Sequence, residues 1–270
     1  MILFKPLAYF ALASFVLFSS LSSPLNASHG PNHTHSQGIV LNQRAAQKTA
    51  DERILRAIQN QFQSIDLSGL IGLTTLPDNV RTLHQITTIK LANTGITDVS
   101  ILAKLAKLQS VDLSLTNIED ISPLKHLNYL ETLMLSNSQV SSTEHLHSFK
   151  SLKSLYLVNI KISNFDFLNE LSNLNTLDLR FTSFHDLSQI SSLSGLRTIN
   201  LSHTPITDIT HLENNNSIEV LELGHTLVNN FKTLATMKKL KTLIVSYSKK
   251  PLLDTMLSNS ARRDLKIIYY

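Results

Sequence analysis

The sequence predicts an α/β solenoid in which each coil carries one short strand and one irregular return segment, the strands forming a single parallel sheet. Three observations predict it. An apolar pattern recurs every 22 residues, without slipping, in blocks that start at Ile86, Leu108, Leu130, Leu152, Leu174, Leu196, Ile218 and Leu240. Two further columns are apolar on all eight rungs: Ile89, Val111, Leu133, Leu155, Leu177, Ile199, Leu221 and Leu243 at position 4, and Leu91, Leu113, Leu135, Leu157, Leu179, Leu201, Leu223 and Val245 at position 6. Polar residues dominate positions 3, 5 and 7, which gives the two-residue period of a strand with one buried face.

Beyond position 8 the apolar spacing lengthens, to Ile96, Ile118, Val140, Ile162, Phe184, Ile206 and Val228 at position 11 and further apolar residues near 14, 17 and 20. One coil cannot cover its own apolar side, so stacking is obligatory. Blocks such as LQSVDLSLTNIEDISPLKHL and LRTINLSHTPITDITHL resemble the 22-residue leucine-rich repeats of bacterial internalins. That resemblance implies a curved, right-handed leucine-rich repeat solenoid with its sheet on the concave face and short 3₁₀ or irregular segments on the convex face. It also implies a protein-binding role for the concave sheet.

The elements follow in chain order. Residues 1–27 contain Lys5, an apolar run from Pro6 to Phe18 and then small residues. The run is shorter than the ~20 residues that span a bilayer, so the expectation is a signal peptide cleaved at Ala27 or an earlier Ser, with an uncleaved anchor as the alternative. Residues 28–41 read as a flexible lead-in whose His29, His33 and His35 are a mobile-tail pattern and not a metal site. Residues 42–61 predict an amphipathic cap helix, with Ile54, Leu55, Ile58 and Phe62 spaced three and four apart to cover the open edge of the stack. Residues 62–85 read as a divergent first repeat, with Phe62, Ile65 and Leu67 placed 24 residues ahead of Ile86 and its partners. Residues 86–248 are the regular repeats and 249–270 a C-terminal cap, in which Pro251 suits the first turn of a helix. Leu265, Ile268 and Tyr270 repeat the 1, 4, 6 spacing of a last strand.

Two polar columns invite chemical readings. Thr94, Thr116, Ser138, Ile160, Thr182, Thr204, Thr226 and Ser248 stand at position 9, and Asp98, Asp120, Ser142, Asn164, Asp186, Asp208 and Asn230 at position 13. A nucleophile does not need to recur on seven rungs, whereas backbone groups left unpaired at each strand exit do need partners. The first column is therefore expected to be structural, with an altered turn at Ile160. Residues of the second are the types that initiate turns, not catalytic or metal-binding carboxylates.

The candidate site is the exposed side of the sheet. Position 5 includes Met134 and Tyr156, position 7 Val158 and Arg180, and position 8 Leu115, Phe181, His203, His225 and Tyr247. Neighbouring strands lie about 4.8 Å apart, so one column makes one ridge, aromatic or imidazole on every rung from Phe181 to Tyr247. Stacking of coils does not require large rings there, and aromatics and Arg dominate binding energy at protein interfaces. These nine residues are the expected partner-binding patch. His203 and His225 are adjacent enough to share a proton or a metal, but two ligands without a third make no site.

Absence of Cys excludes disulfides, zinc-thiolate sites, a cysteine nucleophile and a lipoprotein anchor. From Ala235 to Tyr270 there are eight Lys or Arg against two Asp, a local +6, while the rest of the chain carries −2. That end could touch anionic lipid, glycan or nucleic acid but is read as a solvated cap; export and the lack of aromatics along a basic stripe argue against nucleic acid as a routine partner. The sequence thus predicts an exported, monomeric, non-enzymatic binding protein without catalytic residues, cofactor or metal. Its partner is a protein, of a host or of the cell's own envelope, and contact with membrane runs only through an uncleaved leader. A structural envelope component and a hydrolase are the alternatives.

Overall fold

The computed structural model describes residues 33–213, 215–258, 262 and 264–270. The expected leader and residues 28–32 of the lead-in lie outside the described residues. Ten strands form one parallel sheet in chain order: β1 (Ser64–Asp66), β2 (Thr88–Lys90), β3 (Ser110–Asp112), β4 (Thr132–Met134), β5 (Ser154–Tyr156), β6 (Thr176–Asp178), β7 (Thr198–Asn200), β8 (Val220–Glu222), β9 (Thr242–Val245) and β10 (Lys266–Tyr269). Position 4 lies against position 4 at every step from Ile89 to Leu243. The leucine columns point into one continuous core and 3₁₀ turns return the chain on the other side.

Each strand stops because the chain turns at position 8. Asn93, Leu115, Asn137, Asn159, Phe181, His203 and His225 all adopt the left-handed conformation, with φ between 54° and 58°. Asn tolerates that region through its short polar side chain, whereas Leu and Phe are strained there. One residue later the position-9 hydroxyls close the turn: Thr94, Thr116, Thr182, Thr204 and Thr226 each donate to the carbonyl three residues back at 2.5–2.8 Å. On these five rungs the column is structural, as its recurrence implies, whereas the buried Ser138 hydroxyl finds no partner among the described residues. Ile160, however, does not alter the turn: Asn159 keeps φ 54° and the Ile160 N–H itself bonds the Leu157 carbonyl at 3.3 Å. The left-handed residue sets the turn and the hydroxyl only adds a bond to it.

All seven position-13 side chains accept a hydrogen bond from the backbone N–H two residues on, at 2.7–3.3 Å. They start the return segment, and this accounts for the aspartates as turn formers.

Helix α1 (His33–Gln59) covers the β1 edge. Its buried stripe is Ala46, Ala50, Ile54 and Ala57, with Ile58 packed half-buried beside it; of the expected face, Ile54 and Ile58 meet the core, while Leu55 and Phe62 are exposed. Small side chains let the helix axis approach closely, and at Gly72 a Cβ would fall 2.6 Å from the Asn42 carbonyl oxygen. Residues 33–41, expected as flexible lead-in, are helical and continue α1 toward the N-terminus. Arg53 ties the helix down by donating to the Asp66 carbonyl at 2.9 Å.

At the other end, a 3₁₀ turn at Tyr247–Lys249 leads into α2 (Lys250–Ser258), with Pro251 in its first turn. The guanidinium of Arg262 donates to the carbonyls of Leu234, Met237 and Leu240, which the last coil leaves at its edge. The last strand then pairs one residue away from the expected register. Ile267 lies beside Leu243 and Tyr269 beside Val245, so these two face the core in place of Ile268 and Tyr270. A slip of one residue sends every side chain to the other face, and it delivers Tyr270 to the open side of the sheet.

Candidate functional site

Two rows of side chains on the concave face meet at the C-terminal half of the stack. Tyr156, Asp178, Asn200 and Glu222 occupy successive places of the position-5 row. Asp178 and Asn200 are each only 1% exposed, although they stand on the open side of the sheet. Burying such groups is unfavourable unless they are bonded, and both are. The Arg180 guanidinium grips Asp178 through Nε at 3.0 Å and Nη2 at 2.8 Å, and the Arg180 N–H adds a bond at 3.2 Å. Asn200 accepts from the Ser202 N–H at 3.0 Å and donates to Glu222 Oε2 at 2.7 Å.

Electrostatics follow from that crowding. Burial pushes the Glu222 carboxyl up and the Asp178 charge adds to it, against the Arg180 guanidinium and the Asn200 amide. Burial likewise raises the Tyr156 hydroxyl, with Asp178 again contributing.

The second row is the left-handed column. Phe181 and His203 stack at 4.1 Å between centroids with 13° between planes, and His203 stacks on His225 at 4.3 Å and 18°. Burial, the neighbouring His225 and Arg180 hold the His203 imidazole below its ordinary range. Rings this nearly parallel direct their in-plane nitrogens side by side, so the pair does not converge on a shared ion.

The stack ends differently from the sequence expectation. Tyr247 lies in the 3₁₀ turn and packs edge-on against Tyr269 at 6.1 Å. It is Tyr270 that meets His225, at 5.7 Å and 60°, and its hydroxyl reaches Ser202 Oγ at 3.2 Å. The Tyr270 ring passes over Gly224, where any Cβ would collide with it. Position 7 otherwise carries Ala92, Ser114, Ser136, Val158, Arg180, Ser202 and Ser246, so the glycine marks the crossing.

Of the nine expected residues, the structure brings together Phe181, His203 and His225 as one stack, with Arg180 beside them. Met134 adjoins Tyr156, and Tyr156 adjoins Asp178, in the inner row. Val158 is half-buried and its carbonyl accepts the Asn137 N–H at 2.8 Å. Leu115 is 55% exposed but separated from Phe181 by the rungs of Asn137 and Asn159, which bond each other at 2.9 Å. Tyr247 stands apart from the stack, with Tyr269. Sequence reasoning missed Asp178, Asn200, Glu222 and Tyr270. The lone position-7 glycine was the legible signal for Tyr270.

Residues 84–126 match the family model described as leucine-rich repeats (2 copies). Among solved structures, internalin C2 of Listeria monocytogenes superposes with a TM-score of 0.68 at 22% identity, over 74% of this chain and 92% of that one. Internalin F of the same bacterium gives 0.55 at 21% identity, over 74% of this chain and 68% of that one. A leucine-rich repeat protein of Leptospira interrogans gives 0.52 at 17% identity, over 72% and 63% of the two chains. No curated protein matches the sequence significantly. These likenesses establish the fold, a leucine-rich repeat solenoid of the internalin kind.

Proposed function

We propose that the protein is an exported, monomeric, non-enzymatic recognition module that binds a partner protein on its concave face, between Met134 and Tyr270. One observation carries the reading. Asn fits the left-handed strand exit and stands on three rungs, yet Phe181, His203 and His225 occupy consecutive rungs in that same conformation. Phe181 is 47% exposed, so the strain of a bulky residue at φ 57° does not serve the core. Strain kept at a surface is the mark of a functional constraint, here a row of rings offered to a partner. Export rests on the leader-like residues 1–27, and no helix among the described residues is long and apolar enough to cross a membrane. The non-enzymatic reading is supported by the engagement of Asp178 with Arg180 and of Asn200 with Glu222 and Ser202.

The test is capture by the chain from residue 28 onward against host-cell and cell-envelope extracts in parallel, with a Tyr156→Ser, Phe181→Asn double variant as control. Capture of one protein by the unaltered chain and its loss in the variant is the expected result. Equal capture by both would move the interaction away from the concave face.

A further inference from the structure

The inner row carries one more carboxyl than guanidinium beside the ring stack. Asp178 is neutralised by the two-point grip of Arg180, but Glu222, half-buried on the same face, makes no ion pair among the described residues. Among the described residues its only side-chain hydrogen bond is with the neutral amide of Asn200, through Oε2, which leaves Oε1 without a partner among them. The trio of Asp178, Arg180 and Glu222 therefore sets two carboxyls against one guanidinium, a formal net charge of −1, in a partly dry setting. No side chain fills position 7 of the same coil, because that residue is Gly224, and the Tyr270 ring lies across it. The place beside Glu222 is thus taken by the Tyr270 ring, which itself packs on His225 at the end of the stack that runs through His203 to Phe181.

A half-buried carboxylate with a free oxygen, next to aromatic rings, is complementary to one kind of group. A guanidinium or ammonium satisfies the open oxygen with a charge-assisted hydrogen bond, while its alkyl stem or planar head lies on the rings. An anion would be repelled by the net charge, since Arg180 is already spent on Asp178. A purely apolar side chain would bury the carboxylate further without pairing it.

Resting on the recognition role proposed above, we propose that the concave site takes a basic side chain, Arg or Lys, of the partner protein, seated on Glu222 with its stem against the Tyr270 ring that caps the Phe181–His203–His225 stack. Glu222 is then the specificity-determining residue of the face, and the rings supply the contact area.

The probe is N-acetyl-arginine amide, titrated into the full chain with side-chain labels on His and Phe, with N-acetyl-aspartate amide as the anionic counterpart. The arginine probe is expected to shift the His203, His225 and Phe181 signals, and Glu222→Gln to weaken that binding at least about tenfold, the scale of one charge-assisted hydrogen bond. Gln retains an acceptor for Asn200, so an unchanged melting temperature of the variant confirms that the fold is kept. An equal response in Glu222→Gln, no response to the arginine probe, or a stronger response to the aspartate probe would overturn the inference. A captured partner lost on Phe181→Asn but retained on Glu222→Gln would overturn it while leaving the recognition role intact; a partner indifferent to both would remove both.

Discussion

Phe181 and His203 stack face to face at 4.1 Å while both backbones are left-handed, at φ 57° and 58°. The contact is a product of the turn. A left-handed residue at each strand exit throws its side chain to the same side on every coil, and the strand spacing then brings consecutive rings to stacking distance. The same geometry with Asn gives the Asn137 and Asn159 amide contact at 2.9 Å. One backbone device therefore presents either a polar ladder or a ring stack, according to the residue type placed on it.

Leu115→Asn is expected to stabilise the protein by about 1 kcal/mol, because it relieves a left-handed Leu whose side chain is mostly in water. Phe181→Asn gains the same relief and loses a ring contact of about the same size, so its net change is expected within about 0.5 kcal/mol. Urea unfolding measures both, as shifts in midpoint at constant slope. A clearly destabilised Leu115→Asn would show that the exit conformation carries no strain.

Gly224→Ala is expected to be destabilising by about 1 kcal/mol, since the added methyl displaces the Tyr270 ring from His225 and Ser202. In a Tyr270→Ala background the same substitution is expected to be nearly neutral. The double-mutant cycle isolates the contact. Equal effects in both backgrounds would mean that the ring is not held there.

Much of this architecture is legible in the sequence because a repeat states each rule many times. Three apolar columns over eight rungs fix the strands, their parallel order and the core, and recurring Thr and Asp columns expose themselves as turn parts. The column of Asn93, Asn137 and Asn159 is also a legible sign of the left-handed exit, and it changes the meaning of Phe181 from a surface ring to a strained one. Features that occur once are less accessible. The register of β10 differs by one residue from its apolar spacing because Arg262, bound to three carbonyls of the last coil, helps fix where the strand enters. That shift, invisible in a pattern of Leu265, Ile268 and Tyr270, decides which tyrosine meets His225. The α1 face is legible only in part for a related reason: the hydrophobicity pattern finds Ile54 and Ile58, which pack on the core, but it also points to the exposed Leu55 and Phe62 and passes over Ala46, Ala50 and Ala57, which close docking favours.

Stability at low pH is expected to track the position-13 aspartates. Hydrogen bonds from the hydroxyl and N–H two residues on hold Asp98, Asp186 and Asp208 below the ordinary carboxylate range, and the Ser122 N–H and hydroxyl do so for Asp120. A carboxyl depressed in the folded state contributes stability that is complete above its unfolded value near 3.8 and is lost as pH falls through the folded value. Melting temperature between pH 5 and pH 2.5 should therefore fall, and replacing Asp98 and Asp120 by Asn, which keeps the turn bond and does not titrate, should flatten the fall. An unchanged slope in that double variant would assign the acid sensitivity elsewhere.

His203 provides the test of the ring stack in solution. Burial, the adjacent His225 and the Arg180 guanidinium all disfavour its charged form, so its midpoint is expected below the ordinary 6.5. The sign for stability follows: the folded state binds the proton less readily than the unfolded chain, so the stack contributes fully above pH 6.5 and its contribution is lost as pH falls from there through the folded midpoint. Side-chain NMR reads this directly through the His203 ring protons, whose midpoint should rise toward 6.5 in His225→Asn, because one cause of the depression is removed while the left-handed exit is preserved by Asn. A His203 midpoint that does not respond to His225→Asn would mean that the two rings are not in contact in solution. The partner surface would then be a set of separate side chains.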